Sequence, residues 1–213
     1  ANPDVKLLYN DFNVHGDDFY RFLAPMRHEY VHVYGIGIQS HMHQFRWTFE
    51  ETMQIMDRAA EYGWPLHFTE CTVISGTGAN PDGKVHFDGT KNLWDEPEEM
   101  LFSQAEYTRD FYTLVYSHPA TEALTWWDFR DHAWLGAPCG LINDPKPVYY
   151  ELEKLIKGEW WTNVDLLTGT QGNCRVKAFC GNYDIEVAVD GRRTIVNRDI
   201  LRAPEALRVE ICI

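Results

Sequence analysis

Short apolar runs alternate with longer helical patterns from residue 5 to about residue 157, and this order constrains the fold more than any other feature. The apolar runs lie at Val5–Tyr9, Val31–Ile38, Pro65–Thr69 and Ala123–Trp127. Short apolar runs separated by helices are typical of parallel strands that are buried on both faces. The sequence therefore predicts an α/β fold built on a parallel sheet.

Helices are predicted where apolar side chains recur with helical spacing. Residues Phe49–Ala60 repeat apolar side chains on one helical face, and Gly63 ends that helix. A second helix is predicted over Leu101–Val115, and a third begins after Pro147 and ends near Gly158. The Gly-, Asp- and Asn-rich residues 72–92 predict a long loop directly after the third strand.

The pattern changes near residue 158. Apolar and polar side chains alternate over Tyr183–Val189, and Asp190-Gly191 is a strong hairpin signal. The same alternation returns over Leu207–Ile213. We therefore expect a domain boundary here, with residues 1–158 forming the α/β part and residues 159–213 a small β-strand accessory module.

Composition excludes some partners. The formal net charge of -13 would repel a phosphate backbone, so nucleic acid is not an expected partner. No apolar run approaches the roughly 20 residues of a membrane helix, and no signal peptide opens the chain. The five Cys form no C-x-x-C pair, and His41 with His43 has no third ligand at a helpful spacing, so no metal is predicted.

Each predicted strand is followed by polar or aromatic side chains that are able to face a sugar. In chain order these are Asn10 and Asp11, Gln39 and His41, Glu70, and then Trp127, Asp128 and Asp131. Barrel enzymes place catalytic groups at the carboxyl ends of their strands. A carboxylate there can serve as the nucleophile of a retaining glycosidase, and the alternative for Glu70 is a strand-end salt bridge.

Five segments, in order, resemble glycoside hydrolase family 10, the endo-β-1,4-xylanases. They are LLYNDFN at 7–13, GIGIQSHMH at 35–43, PLHFTE at 65–70, TWWDFRDHAWL at 125–135 and GLINDPKPVYYEL at 140–152. The resemblance covers about residues 5 to 157. It implies the C-terminal half of a (β/α)8 TIM barrel, strands five to eight, followed by the small β-rich module.

The resemblance also implies roles for individual residues. Glu70 matches the nucleophile, and His41 and Gln39 match the Q-x-H that holds the nucleophile and the sugar beside it. The remaining matches are Trp126 or Trp127 and Trp134 as the aromatic walls of the cleft, Asn10 and Asp11 near its floor, and Pro145–Tyr149 in a structural role.

Two departures from the family pattern matter. Thr72 stands where the family's T-E-L-D has the Asp that bonds the His, so we expect the pKa of His41 to lack an upward pull. The family's acid/base Glu, at the end of strand four, has no counterpart in these 213 residues. On its own, the chain would supply a nucleophile without a proton donor.

The sequence thus predicts a retaining glycosidase that acts on β-1,4-xylan without a cofactor. Two alternatives stay open: an inactive fragment or non-catalytic carbohydrate-binding protein, and one half of a split barrel that a second chain or copy completes. The resemblance implies a secreted or periplasmic location.

Overall fold

The structure is a computed structural model of the 213-residue chain, and it describes residues 2, 4–28, 32–142, 145–201 and 208–211. The chain divides into two compact units, Ala1–Glu153 and Lys154–Ile213. We call them the barrel unit and the C-terminal unit.

The barrel unit is built on a parallel sheet, which confirms the predicted α/β class. Its strands are β1 (Leu8–Asp11), β2 (Gly35–Met42), β3 (Leu66–Val73) and β6 (Thr121–Trp126), hydrogen-bonded in the order β1-β2-β3-β6. Two very short strands, β4 (Thr77–Gly78) and β5 (Trp94–Asp95), form a separate antiparallel pair. The carboxyl ends of all four parallel strands therefore lie along one edge of the sheet.

The first three strands extend further toward the carboxyl terminus than the apolar runs predicted. Strand β1 ends at Asp11 instead of Tyr9, β2 ends at Met42 instead of Ile38, and β3 ends at Val73 instead of Thr69. Strand bounds follow backbone pairing, and polar residues at the strand ends are paired as well as apolar ones. Residue 31, the predicted start of the second run, lies outside the described residues.

The helices are α1 (Asp17–His28), α2 (Phe49–Ala60), α3 (Glu99–Ser117) and α4 (Pro147–Lys154), which continues as a π-helical turn at Leu155–Glu159. The three predicted helices are confirmed, whereas α1 was not predicted. Helix α2 begins where the Thr48 hydroxyl accepts a hydrogen bond from the Glu51 backbone N–H at 3.1 Å.

The core lies between the sheet and the helices. Ile36, Ile38, Leu66 and Phe68 alternate along β2 and β3 and are fully buried. The ring of Phe68 meets that of Phe111 on α3 edge to face, with centroids 5.8 Å apart. This packing fixes one face of β3 against the helices and leaves the alternate residues for the opposite face.

The loop after β3 is more ordered than the sequence suggested, because β4 and β5 pair across it. Asn80 and Asn92 are buried within the loop, and Asn80 Nδ2 donates a hydrogen bond of 2.8 Å to Asn92 Oδ1. Buried amides of this kind satisfy backbone groups that irregular chain leaves unpaired. They hold the loop in place beside the carboxyl edge of the sheet.

The C-terminal unit contains the predicted hairpin of β7 (Gly181–Val189) and β8 (Arg192–Ile200). Asp190 and Gly191 both have positive φ, 49° and 80°, as a type I′ turn requires. The strand expected over residues 207–213 is not found in the described part, 208–211, which forms no ladder with another segment. Alternation without a hydrogen-bonding partner does not make a strand; residues 207, 212 and 213 lie outside the described residues.

Candidate active site

Glu70 lies at the carboxyl edge of the sheet, and both of its carboxylate oxygens are held. Asn10 Nδ2 donates to Oε1 at 3.2 Å, and His41 Nε2 lies 2.9 Å from Oε2. The side chain of Glu70 keeps 16% of its surface exposed. The carboxylate is thus fixed by groups from β1 and β2 and remains open to a molecule arriving at the edge of the sheet.

A β-bulge aims Glu70 at this position. Phe68 pairs with Ile38 and Glu70 pairs with Gln39, so that Thr69 is an extra residue on β3. Because of the extra residue, two consecutive side chains meet the same neighbour: the Thr69 hydroxyl donates to Asn10 Oδ1 at 2.7 Å, and Glu70 accepts from Asn10 Nδ2. Bulges commonly redirect a side chain next to a functional site in this way.

His41 lies between Glu70 and Thr72. Its Nε2 faces Glu70, and its Nδ1 lies 3.2 Å from the Thr72 hydroxyl. Burial lowers the pKa of His41, and the hydrogen bond to Glu70 opposes that effect. A neutral ring that donates from Nε2–H to Glu70 can accept at Nδ1 only while the Thr72 proton points to it, because the hydroxyl has one proton to give.

Asp128 lies next to Thr72, and the sequence analysis assigned it only a place at a strand end. The Thr72 hydroxyl lies 3.4 Å from Asp128 Oδ2, and Asp128 is 3% exposed. Where the family pattern has an Asp bonded directly to this His, the Thr72 hydroxyl here lies between His41 and the Asp128 carboxylate. Asp128 follows the last strand of the sheet at its carboxyl end, and only the paired sheet brings it next to Thr72.

Two tryptophans enclose His41. The ring centroid of Trp127 lies 5.7 Å from that of His41 and the ring of Trp134 lies at 4.7 Å. Trp127 is half exposed, at 47%. The sequence left open whether Trp126 or Trp127 lines the cleft. Trp126 instead donates through Nε1 to the backbone oxygens of Asp128, at 2.7 Å, and Cys139, at 3.1 Å.

Of the other predicted residues, one lies beside Glu70 and two are bonded to other groups of the protein. Half-buried Gln39 pairs in register with Glu70, and the Tyr9 hydroxyl donates to Asp11 at 2.7 Å. Asp131 does not face the site as a free carboxylate, because it accepts from Lys146 and from the Gly140 backbone N–H.

The loop after β3 and the loop that carries Trp134 line a cavity of about 710 Å³. Its lining includes Phe87, Lys91, Asn92, His132 and Trp134. Trp134 is shared between this cavity and the wall beside His41. Aromatic and polar groups bound this space, as is usual for ligand pockets.

Two potential metal ligands lie beside His43, although neither is close to it in sequence. Within the described parts of the chain, the group of His43, Asp128 and Cys139 is close enough to hold an ion. Strand pairing brings the members of this group together, and their spacing in the sequence does not reveal it.

The model of the Glycosyl hydrolase family 10 matches residues 1–154. The chain belongs to glycoside hydrolase family 10. Endo-1,4-beta-xylanase B of Thermotoga neapolitana is 27% identical over 172 residues, which are 74% of this chain and 45% of that protein. The endo-1,4-beta-xylanase of Geobacillus stearothermophilus is 28% identical over 142 residues, 63% of this chain and 40% of that protein. The chain thus spans less than half the length of these curated relatives.

Solved structures agree on the fold. Xylanase 10B from Thermotoga petrophila RKU-1, in complex with xylobiose, superposes with a TM-score of 0.58 at 22% identity, over 75% of this chain and 48% of that one. Native xylanase 10B from Thermotoga maritima gives 0.58 at 23%, over 74% and 48%. The barrel unit is therefore the C-terminal half of a (β/α)8 barrel, as predicted.

No helix in the described parts of the chain combines the length and the apolar character needed to cross a membrane.

Proposed function

We propose that this chain carries the nucleophile of a retaining glycosidase that acts on β-1,4-xylan, and that Glu70 is this nucleophile. The observation that supports it best is the placement of Glu70. Its carboxylate stands at the carboxyl edge of a half barrel, held by Asn10 and His41 and partly exposed. The xylanase relatives supply the substrate class in this proposal.

In the proposed first step, a Glu70 oxygen attacks the anomeric carbon while the bond to the leaving oxygen breaks and that oxygen takes a proton. A glycosyl ester of Glu70 results. In the second step, water gives its proton to a base and attacks the same carbon, which releases Glu70 and restores the original configuration. Asn10 and neutral His41 orient the carboxylate through hydrogen bonds without neutralising its charge.

The second carboxyl group of the mechanism is proposed to come from outside these 213 residues. A retaining enzyme needs it about 5 to 5.5 Å from the nucleophile, as acid and then base. The chain spans less than half of its xylanase relatives, so a segment or chain beyond it would complete the site. Such a general acid contributes about 10²- to 10⁴-fold.

Trp127 and Trp134 favour a second candidate function, a carbohydrate binder without catalysis. Both rings stand at the cleft and offer apolar faces for sugars, whether or not the acid is present. In both functions the ligand is a polysaccharide, and the proposal therefore includes a secreted or periplasmic location. The two functions differ in whether Glu70 forms a covalent bond.

An activated substrate separates them, because its leaving group needs little acid assistance. The 213-residue chain is incubated with a dinitrophenyl 2-fluoro-β-xylobioside, and its intact mass is followed. We expect one added fluoroxylobiosyl group, located on Glu70 by peptide mapping. Glu70→Gln should remain unlabelled, whereas Glu122→Gln, a carboxylate variant of the same sheet, should be labelled normally.

Label on another residue would refute the assignment of the nucleophile. A folded chain that binds xylo-oligosaccharides and gains no label would favour the binder.

A half barrel also leaves sheet edges that a second chain could pair with. Within the described sheet, β1 and β6 are the outermost strands, and unpaired strand edges favour association. We propose that a complementary half or another copy completes the barrel at these edges. Size-exclusion mass tests this: a stable monomer that is also fully active would count against it.

A further inference from the structure

Three potential metal ligands of different chemistry meet behind the Trp134 ring. They are His43, Asp128 and Cys139, which follow β2, β6 and the Trp134 loop respectively. Their relative exposures are 3%, 3% and 0%, and their ligand atoms all lie within 4.8 Å of one another. No step proposed for Glu70 uses His43 or Cys139.

His43 is the observation that requires an explanation. Among the described residues, neither of its ring nitrogens has a hydrogen-bond partner, although both are buried. Buried polar atoms in native proteins are almost always paired, and exceptions often indicate an ion or a water molecule. Asp128 Oδ2 lies 3.8 Å from His43 Nε2.

That separation is too long for a hydrogen bond, whose N···O distance is about 2.7 to 3.2 Å. It is slightly longer than the separation of two ligands on one ion: with bonds of about 2.0 to 2.2 Å to nitrogen and oxygen, neighbouring tetrahedral ligands stand about 3.3 to 3.6 Å apart. The Cys139 sulfur lies 3.4 Å from the Ala137 backbone oxygen, which the thiol approaches as a donor, so its lone pairs stay available.

We propose that His43, Asp128 and Cys139 bind a divalent ion of the zinc class. The donor set of one imidazole nitrogen, one carboxylate oxygen and one sulfur suits zinc and cobalt and disfavours magnesium and calcium. Binding replaces the thiol proton by the metal, and the released proton goes to solvent. A carboxylate, a thiolate and a divalent cation together bear no net charge, which makes burial of all three feasible.

The fourth coordination position falls to a water molecule or a backbone carbonyl, since the group supplies three side chains. The ion would join the segments that follow β2 and β6. Trp134 lies against both His43 and His41, with 4.7 Å between ring centroids in each case. The site would therefore stabilise the carboxyl edge of the sheet from behind, whether or not Glu70 is a nucleophile.

Cobalt tests this directly, because thiolate-bound Co²⁺ absorbs in the near ultraviolet and visible. The metal-stripped 213-residue chain is titrated with Co²⁺ alone. We expect saturation at one ion per chain with a thiolate-to-cobalt band, displacement by Zn²⁺, and a rise in Tm when Zn²⁺ is added.

Cys139→Ser should lose the band. The control is Cys174→Ser with Cys180→Ser, since these two exposed cysteines lie in the other unit, and it should keep the band.

Asp128→Cys guards against a loss that comes from misfolding alone. It exchanges one ligand for another of similar size, and we expect it to keep one Co²⁺ and to show a stronger thiolate band. The proposal is overturned if the folded chain, checked by far-ultraviolet circular dichroism, shows no thiolate band. It is also overturned if Cys139→Ser retains the band, which would assign it to another cysteine.

Discussion

Two histidine–glutamate pairs occupy opposite ends of the same sheet. At the carboxyl end, His41 Nε2 and Glu70 Oε2 are 2.9 Å apart; at the amino end, His67 Nε2 and Glu122 Oε2 are 3.1 Å apart. The distances are nearly equal. The surroundings differ: the side chains of the first pair are 14% and 16% exposed, and those of the second are 22% and 46% exposed.

The amino-end pair acts as a link between strands. Glu122 also accepts from the Tyr34 hydroxyl at 2.6 Å, so it connects the segments that begin β2, β3 and β6. The carboxyl-end pair instead faces Trp127 and Trp134 and is backed by Thr72. The geometry of the pair alone therefore does not distinguish a structural carboxylate from a candidate nucleophile. The distinction comes from which end of the strands carries the pair and from the tryptophan rings beside it.

The largest expected effect separates the two glutamates. Glu70→Ala should slow cleavage of a dinitrophenyl β-xylobioside by more than about 10³-fold, since removal of a nucleophile abolishes the covalent route. Glu122→Ala should change that rate by less than about threefold, because its carboxylate does not face the cleft. Stopped-flow release of dinitrophenolate measures both.

Chemical rescue by azide gives a second test of Glu70 as the nucleophile. In Glu70→Ala, azide should occupy the vacated space and attack the anomeric carbon, giving an α-xylobiosyl azide of inverted configuration. No rescue by azide, or equal losses in the two variants, would remove the distinction between the pairs.

The histidines should show the next largest difference. His41→Ala should slow labelling of Glu70 by roughly 10²-fold, because a carboxylate displaced by about 1 Å loses its alignment with the anomeric carbon. His67→Ala should leave labelling within about twofold and lower Tm instead, since it breaks the link to Glu122. A slow His67→Ala variant with unchanged Tm would contradict this assignment.

Thr72 gives a smaller effect. Thr72→Val keeps the shape and removes the hydroxyl between His41 and Asp128, and we expect labelling to slow about tenfold, the equivalent of a net hydrogen bond of about 1.4 kcal/mol. Thr108→Val is the matched control, because the buried Thr108 hydroxyl has no partner among the described residues. It should leave labelling unchanged, and an equal loss in both variants would argue against an orienting role for Thr72.

The smallest effect concerns pH and the amino-end pair. The Tyr34 hydrogen bond is the main cause that lowers the pKa of Glu122 below 4.5. A carboxyl group with a lowered folded-state pKa adds stability above its unfolded pKa, and loses it as pH falls through the folded value. Glu122→Gln should therefore show a slightly shallower fall of Tm below about pH 4.5 than the parent chain. Identical acid profiles would show that this pair contributes nothing measurable.

Several features were predictable because their causes are local. Helix α2 follows from apolar spacing between Thr48 and Gly63, and the C-terminal hairpin follows from Asp190-Gly191, where positive φ favours these residues. Helix α1 was missed although Phe19 and Leu23 are spaced as on one helical face; it contains Pro25, and proline disfavours a helix interior. Strand ends were missed because polar residues extend the ladder beyond the apolar runs.

The sequence by itself determined the parallel half barrel, its family and the glutamate at the edge of its third strand, since apolar periodicity and motif order are written along the chain. Only the tertiary structure decided that a bulge at Thr69 turns Glu70 toward Asn10, and that Asp128 meets Thr72 and His43. Contacts between residues 56 to 85 positions apart depend on strand register, and register is fixed by packing across the whole sheet instead of by neighbours in sequence.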